Sequence, residues 1–123
     1  MEPAKLRYVV LRHEGVAEPH FDFMVETSPG SRLATWRLPA WPPTADAPLL
    51  RLGNHRTSYL TYEGPVSGDR GVVRRVASGT CQVSGTDSGQ WIVRFDGGDV
   101  LRLVARGDGD LWAAQSFGVP PGV

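Results

Sequence analysis

Apolar and polar residues alternate with a period of two along most of the chain, and nowhere do apolar residues keep a 3.6-residue period over twelve positions. Alternation marks strands with one face turned to a core. It predicts strands at 6–12 (LRYVVLR), 20–27 (HFDFMVET), 32–38, 49–53, 58–62, 72–77, 81–84, 90–95, 100–105 and 111–116. The stretch from Pro39 to Pro48 carries Pro39, Pro42, Pro43 and Pro48, which suit neither a helix interior nor a central strand, so a loop or edge cover is expected. Asp96-Gly97-Gly98-Asp99 and Gly107-Asp108-Gly109-Asp110 have the chemistry of tight hairpins. There is no internal repeat. About ten short strands, spaced roughly ten residues apart, predict an all-β barrel or sandwich with little helix.

Composition narrows the picture. At 123 residues the chain is expected to be one domain, 1–123, because a second core would leave two halves too small to bury enough surface. Gly and Pro are spread along it, as many short elements and tight turns require. The single cysteine, Cys81, excludes an intrachain disulfide framework and a Cys-rich zinc site, and is expected as a buried strand residue. No apolar run approaches the roughly 18 residues of a membrane span, and Met1–Lys5 lacks the pattern of a secretory leader. The expectation is a cytoplasmic, monomeric protein with no membrane partner. Thirteen basic residues balance thirteen acidic ones, which argues against gripping nucleic acid through a broad basic surface. Twelve of the thirteen cations are Arg, the better fork for phosphates and carboxylates, although codon bias accounts for that equally well.

The candidate chemistry lies with three histidines. On the strand HFDFMVE, His20, Asp22 and Met24 share one face, and the large apolar set Phe21, Phe23 and Val25 takes the other, toward the core. Residues two apart on a strand lie about 7 Å apart at Cα, so the side chains of His20 and Asp22 can converge on one ion. Imidazole nitrogen with carboxylate oxygen suits Mn²⁺, Fe²⁺ or Zn²⁺. His13, on the preceding strand of an antiparallel pair, is the natural third ligand; the plain alternative is a surface His–Asp pair. The remaining candidates are weaker. Asp108-Gly109-Asp110 has too few oxygen ligands for a Ca²⁺ loop. One of Arg74 and Arg75 is expected in solvent. Trp36, Trp91 and Trp112 read as core and rim, and Trp41, in the Pro-rich loop, as rim or as a stacking surface for a nucleobase.

The segment RYVVLRHEGVAEPHFDFMVE resembles the opening of the 3′-phosphoesterase domain of bacterial and archaeal DNA ligase D, in which a strand ending in His leads through a short loop to a His-aromatic-Asp-Phe strand. TWRLP, NHRTSYLTYEG and the closing DLWAAQSF continue the resemblance in order and spacing, from about Leu6 to Phe117. It implies a compact closed β-barrel of about eight to ten short strands. It also implies a Mn²⁺ site at His13, His20 and Asp22, with His55 and Tyr59 as catalytic residues and His55 on the substrate phosphate. The implied activity removes a 3′-ribonucleoside or 3′-phosphate from DNA ends in break repair by non-homologous end joining, with end-joining polymerases and ligases as partners. A divalent ion neutralises phosphate oxygens and supplies a water nucleophile, and a histidine near the phosphate can donate a hydrogen bond or protonate the leaving group. Glu63 would orient a ligand histidine or simply be solvated.

The departures concern phosphate contacts. Met24, Ala40 and Ala47 stand where that family carries cations, and the loop between His13 and His20 is one residue longer. Arg51, four residues before His55 and on its face if the strand is straight, and Arg37, at the end of the Trp36 strand, are the expected phosphate-binding replacements, with Arg12 and Arg56 beside the candidate ligands. Two other readings differ in class. One is a non-haem iron oxygenase, with His20, Asp22 and His55 as a facial triad. The other is a metal-binding module of weak or no turnover that recognises phosphorylated DNA ends or docks on end-joining proteins.

Overall fold

The computed structural model describes residues 4–107 and 109–119. The leader reading at 1–3 and Asp108 of the second expected hairpin lie outside the described residues. Nine strands form one antiparallel sheet: β1 Leu6–Glu14, β2 His20–Glu26, β3 Leu33–Leu38, β4 Pro48–His55, β5 Gly64–Pro65, β6 Val72–Ser84, β7 Gln90–Phe95, β8 Val100–Ala105 and β9 Leu111–Gly118. Their order is β1-β2-β3-β4-β9-β8-β7-β6-β5, and β6 also pairs with β1, so eight strands close into a barrel-like ring with β5 attached to β6.

The alternation read from the sequence decides what fills the ring. Val10 opposes Phe23, Phe23 opposes Trp36, and Val25 opposes Ala34. These residues join Leu38, Leu49, Trp91, Val93, Leu101 and Leu103 in the main core. Trp36 is fully buried, with its ring 4.8 Å from Trp91 and 5.5 Å from Trp112, and Trp41 covers one end, stacked 5.8 Å from Phe23. Trp41 is partly buried and packs against the rings of Phe23, Phe95 and Phe117 at the rim of this core. Cys81 is buried in the same core.

The outward faces of β1–β3 are largely covered. Val9, Leu11, Met24, Leu33, Leu60 and Val73 form a second, smaller core, covered by Tyr59 and Val66. The cover is built where a strand was expected at 58–62. Thr57–Leu60 is instead a 3₁₀ turn, closed by the Tyr59 and Thr61 amides donating to the Arg56 and Ser58 carbonyls. Its polar Thr57-Ser58 opening favours a turn, and Leu60 then buries against the sheet. The expected strands at 72–77 and 81–84 are one 13-residue strand, β6. It runs unbroken because β1 pairs with it from Val72 to Cys81, with Tyr8 opposite Gly79, and β7 pairs with it from Cys81 to Ser84. The hairpin at Asp96–Asp99 is present, with the Gly98 amide donating to Phe95 O and the Phe95 amide to Asp99 O.

Candidate metal centre

The hairpin joining β1 and β2 sets His13 directly opposite His20, and Leu11 opposite Asp22. Their register puts both histidines and Asp22 on the outward face, above the second core. The rings of His13 and His20 lie 4.8 Å apart at 66°. His20 Nε2 is 3.5 Å and His13 Nδ1 is 4.0 Å from Oδ2 of Asp22, and one donor atom from each residue lies within 4.8 Å of the others. Donor atoms sharing an ion through bonds near 2.1 Å stand about 3–4 Å apart, so both His–Asp pairs are suitably spaced.

Hydrogen bonding selects the nitrogens. His20 Nδ1 lies 2.9 Å from the carbonyl of Glu18, and His13 Nε2 lies 2.5 Å from the carbonyl of Arg70. A carbonyl only accepts, so each of these nitrogens carries the proton. In the neutral imidazole the lone pair is then on His13 Nδ1 and His20 Nε2, the two atoms nearest Asp22. Metal-bound histidines are commonly fixed in this way, with the far N–H held by a carbonyl. Without a shared cation the arrangement is costly, because two lone pairs face a 4%-exposed carboxylate. The polar accounting agrees. Among the described residues four buried side-chain polar atoms have no hydrogen-bond partner, and three of them, His20 Nε2, Asp22 Oδ1 and Arg37 Nε, lie here. The donor set therefore fits a divalent transition metal, with neutral imidazoles and a carboxylate suiting Mn²⁺, Fe²⁺ or Zn²⁺.

The cluster opens on a cleft of about 1010 Å³ that Arg37, His55 and Tyr59 also line. Arg37 is opposite Asp22 across the β2–β3 ladder, with Nε 3.7 Å from Oδ1 of Asp22. Its guanidinium is partly exposed and stands at the cluster's edge. His55 Nδ1 donates to the Gly53 carbonyl at 2.9 Å, leaving Nε2 free of that bond, and its ring is 5.7 Å from Tyr59. The two share the cleft through the 3₁₀ turn and not along an extended segment. Tyr59 also covers the second core, so packing and cleft lining coincide in one side chain. Leu50 and Leu111, paired between β4 and β9, add an exposed apolar lip.

Arg51 is elsewhere, and the phosphate role expected of it is corrected. It opposes Trp36 on the core side, with its guanidinium 4.3 Å from the Trp36 ring and 4.9 Å from that of Trp91. The strand is not straight. β4 pairs Leu52 with Thr35 but His55 with Leu33, so a bulge at Gly53-Asn54 inserts one residue. The bulge sends His55 to the cleft and leaves Arg51 in the tryptophan cage. Of the three positions without a family cation, only Met24 lines the cleft. Ala47 is packed in the main core, and Ala40 is exposed on the loop. Arg12 pairs with Glu14 at 2.6 Å, and Glu63 with Arg75, so neither serves the cluster. His55 does not join His20 and Asp22, so the facial-triad set is not assembled among the described residues.

Sequence reasoning missed Arg70, whose carbonyl fixes His13 from 57 positions away. No local pattern marks it, since it sits in a turn of Ser, Gly and Asp. No helix among the described residues is long and apolar enough to cross a membrane. No protein-family model matches this chain, and no curated protein matches it either.

Proposed function

We propose that this protein is a metal-dependent phosphoesterase that trims 3′ ends of DNA, removing a 3′-phosphate or 3′-ribonucleoside before a break is sealed. The observation that carries the reading is the pair of histidines whose far N–H groups are tied to carbonyls while their lone pairs face a buried carboxylate. The motif resemblance to the ligase D phosphoesterase domain supplies the substrate class and the preference for Mn²⁺. When bound, the ion supplies charge neutralisation at phosphate oxygens and an acidified water.

The chain's own residues do the rest. His13, His20 and Asp22 hold the ion. Arg37, at the edge of the cluster, pairs with a phosphate oxygen through a charge-assisted hydrogen bond. His55 presents Nε2 to the cleft. Protonated, it donates to a phosphate oxygen or to the leaving 3′ oxygen; neutral, it accepts. Tyr59 holds the His55 ring from its edge. The cleft, about 1010 Å³, would take the strand end, with the apolar lip of Leu50 and Leu111 beside the sugar. End-joining polymerases and ligases are the partners such an activity would serve in the cytoplasm.

The test is phosphate release from a 3′-phosphorylated primer–template with Mn²⁺ and with EDTA. Release is expected only with metal, and His20→Ala or Asp22→Asn should lower it at least about 100-fold. Unchanged activity in His20→Ala sinks the metal assignment. A second reading is favoured by Met24, which gives the cleft an apolar floor where the related domain has a cation. In that reading the protein binds phosphorylated ends without turnover. Metal binding with no phosphate release by the wild type would select it.

A further inference from the structure

Next to the metal cleft lies a second cavity of about 510 Å³, and the two share His55, Tyr59, Val66 and Arg70 as a common wall. Arg32, Arg56 and Arg70 line it, with no Asp or Glu among its lining residues. In a chain of zero net charge that is a local concentration of cations. None of the three makes an ion pair among the described residues, whereas Lys5, Arg7, Arg12, Arg75 and Arg106 are each paired with a carboxylate.

Three different segments deliver these arginines. Arg32 precedes β3, and its Nη2 donates to the Asn54 carbonyl at 3.3 Å, beside the bulge that turns His55. Arg56 follows β4 directly. Arg70 is held by Ser67, with Nε donating to the Ser67 carbonyl at 2.7 Å and Nη2 to Oγ at 3.1 Å, which fixes its guanidinium. Tyr62 adds a ring set at 90° to Tyr59, 6.0 Å away. Guanidinium forks without carboxylate partners, that of Arg70 held at two atoms, suit phosphate oxygens, and aromatic faces beside them suit a base.

We infer that this cavity is a second phosphate subsite, which takes an internucleotide phosphate of the same strand whose end enters the metal cleft. The inference rests on the proposed function for what occupies the first cleft. The shared wall is what favours a strand: an isolated anion needs one cavity, whereas a polymer with phosphates at regular spacing fills two that adjoin. Arg70 links them, since its backbone carbonyl orients His13 and its side chain faces the subsite. The ligand class is a polynucleotide end with at least two phosphates, in preference to a mononucleotide or a small phosphoester.

The experiment measures anisotropy of a 5′-labelled single-stranded dodecanucleotide carrying a 3′-phosphate, in EDTA so that turnover does not intervene, with competition by an unlabelled 3′-mononucleotide. Arg32→Gln and Arg56→Gln are each expected to weaken the oligonucleotide about tenfold and to change mononucleotide competition less than twofold. Arg94→Gln, an equal charge loss on β7 away from both cavities, should alter neither by more than twofold. Circular dichroism and thermal melts of each variant confirm that the comparison is between folded proteins. Arginine variants that weaken both ligands equally, or neither, overturn the subsite. So does tighter, arginine-dependent binding of a phosphoserine peptide or of anionic phosphatidylserine vesicles. If the length-dependent arginine effect appears but Mn²⁺ yields no phosphate release, the subsite stands and the catalytic reading fails; release with equal efficiency from long and short substrates, unaffected by the arginine variants, is the converse.

Discussion

At the scale of single residues, two side chains chosen from the same pattern separate into different roles. Arg51 and His55 are four apart, yet one packs on tryptophans and the other lines the cleft. Arg51→Ala should therefore lower stability by about 0.5–2 kcal/mol, the worth of a partly desolvated cation–π contact, and leave KM for a 3′-phosphorylated oligonucleotide unchanged. Thermal melts beside steady-state kinetics check it, and a raised KM at unchanged stability would return Arg51 to the phosphate. Cys81 makes the opposite case, a reactive residue type in an inert setting. Burial, with minor help from Asp96 and Glu26, pushes its thiol up to about 12. The thiolate is the nucleophile, and a raised pKa keeps it protonated at ordinary pH. At pH 8 a disulfide reagent should label the native protein negligibly and the denatured protein with one equivalent.

At the scale of elements, the centre depends on close backbone contacts between distant loops. Gly71 has φ +82°, and a Cβ there would collide with the Glu14 carbonyl oxygen. Gly71 thus lets the loop ending in Arg70 lie against the end of β1, where the Arg70 carbonyl meets His13. Gly71→Ala should cost more than about 1 kcal/mol and also weaken Mn²⁺ affinity, measured by calorimetric titration; lost stability with intact affinity would detach the loop from the centre. At the other end of β2, Glu26 is 1% exposed and accepts from the Arg7 amide at 2.6 Å, the Arg7 guanidinium at 2.9 Å and the Gly30 amide at 2.8 Å. Burial alone would raise its carboxyl, but these bonds outweigh it and hold the group below its ordinary value. A carboxyl with a lowered folded pKa contributes stability above the unfolded value, near 4.3, and loses it as pH falls through the folded value. Wild type should exceed Glu26→Ala by about 1–3 kcal/mol at pH 7, and the gap should narrow below about pH 4. A gap independent of pH would assign it to packing.

At the scale of the whole molecule, the proposed function combined with zero net charge and arginines free of ion pairs among the described residues at two adjoining cavities predicts binding confined to a strand end. Affinity should rise over the first two or three nucleotides and then level off. Its logarithm should fall with the logarithm of salt by only about 0.7 per phosphate engaged on a single strand. Steadily rising affinity out to a dozen nucleotides would mean a longer groove. Much of this was legible in the chain itself. Period-two alternation yields the strands at Gln90–Phe95 and Val100–Ala105 with their ends, because the pleat alone sends successive side chains to opposite faces. The same rule places His20 with Asp22, and a short loop between antiparallel strands brings His13 opposite His20. What the sequence by itself determined is therefore the local part: most of the strands, the turn at Asp96–Asp99, and a candidate metal triad whose members are at most nine residues apart. Only tertiary structure decided the rest. The bulge that parts Arg51 from His55 is set by pairing with β3; the second core exists because a 3₁₀ turn folds over β1–β3; and the Arg70 carbonyl reaches His13 across 57 positions. Periodicity reports which way a side chain leaves its own backbone, whereas these features depend on which other segment comes to lie against it.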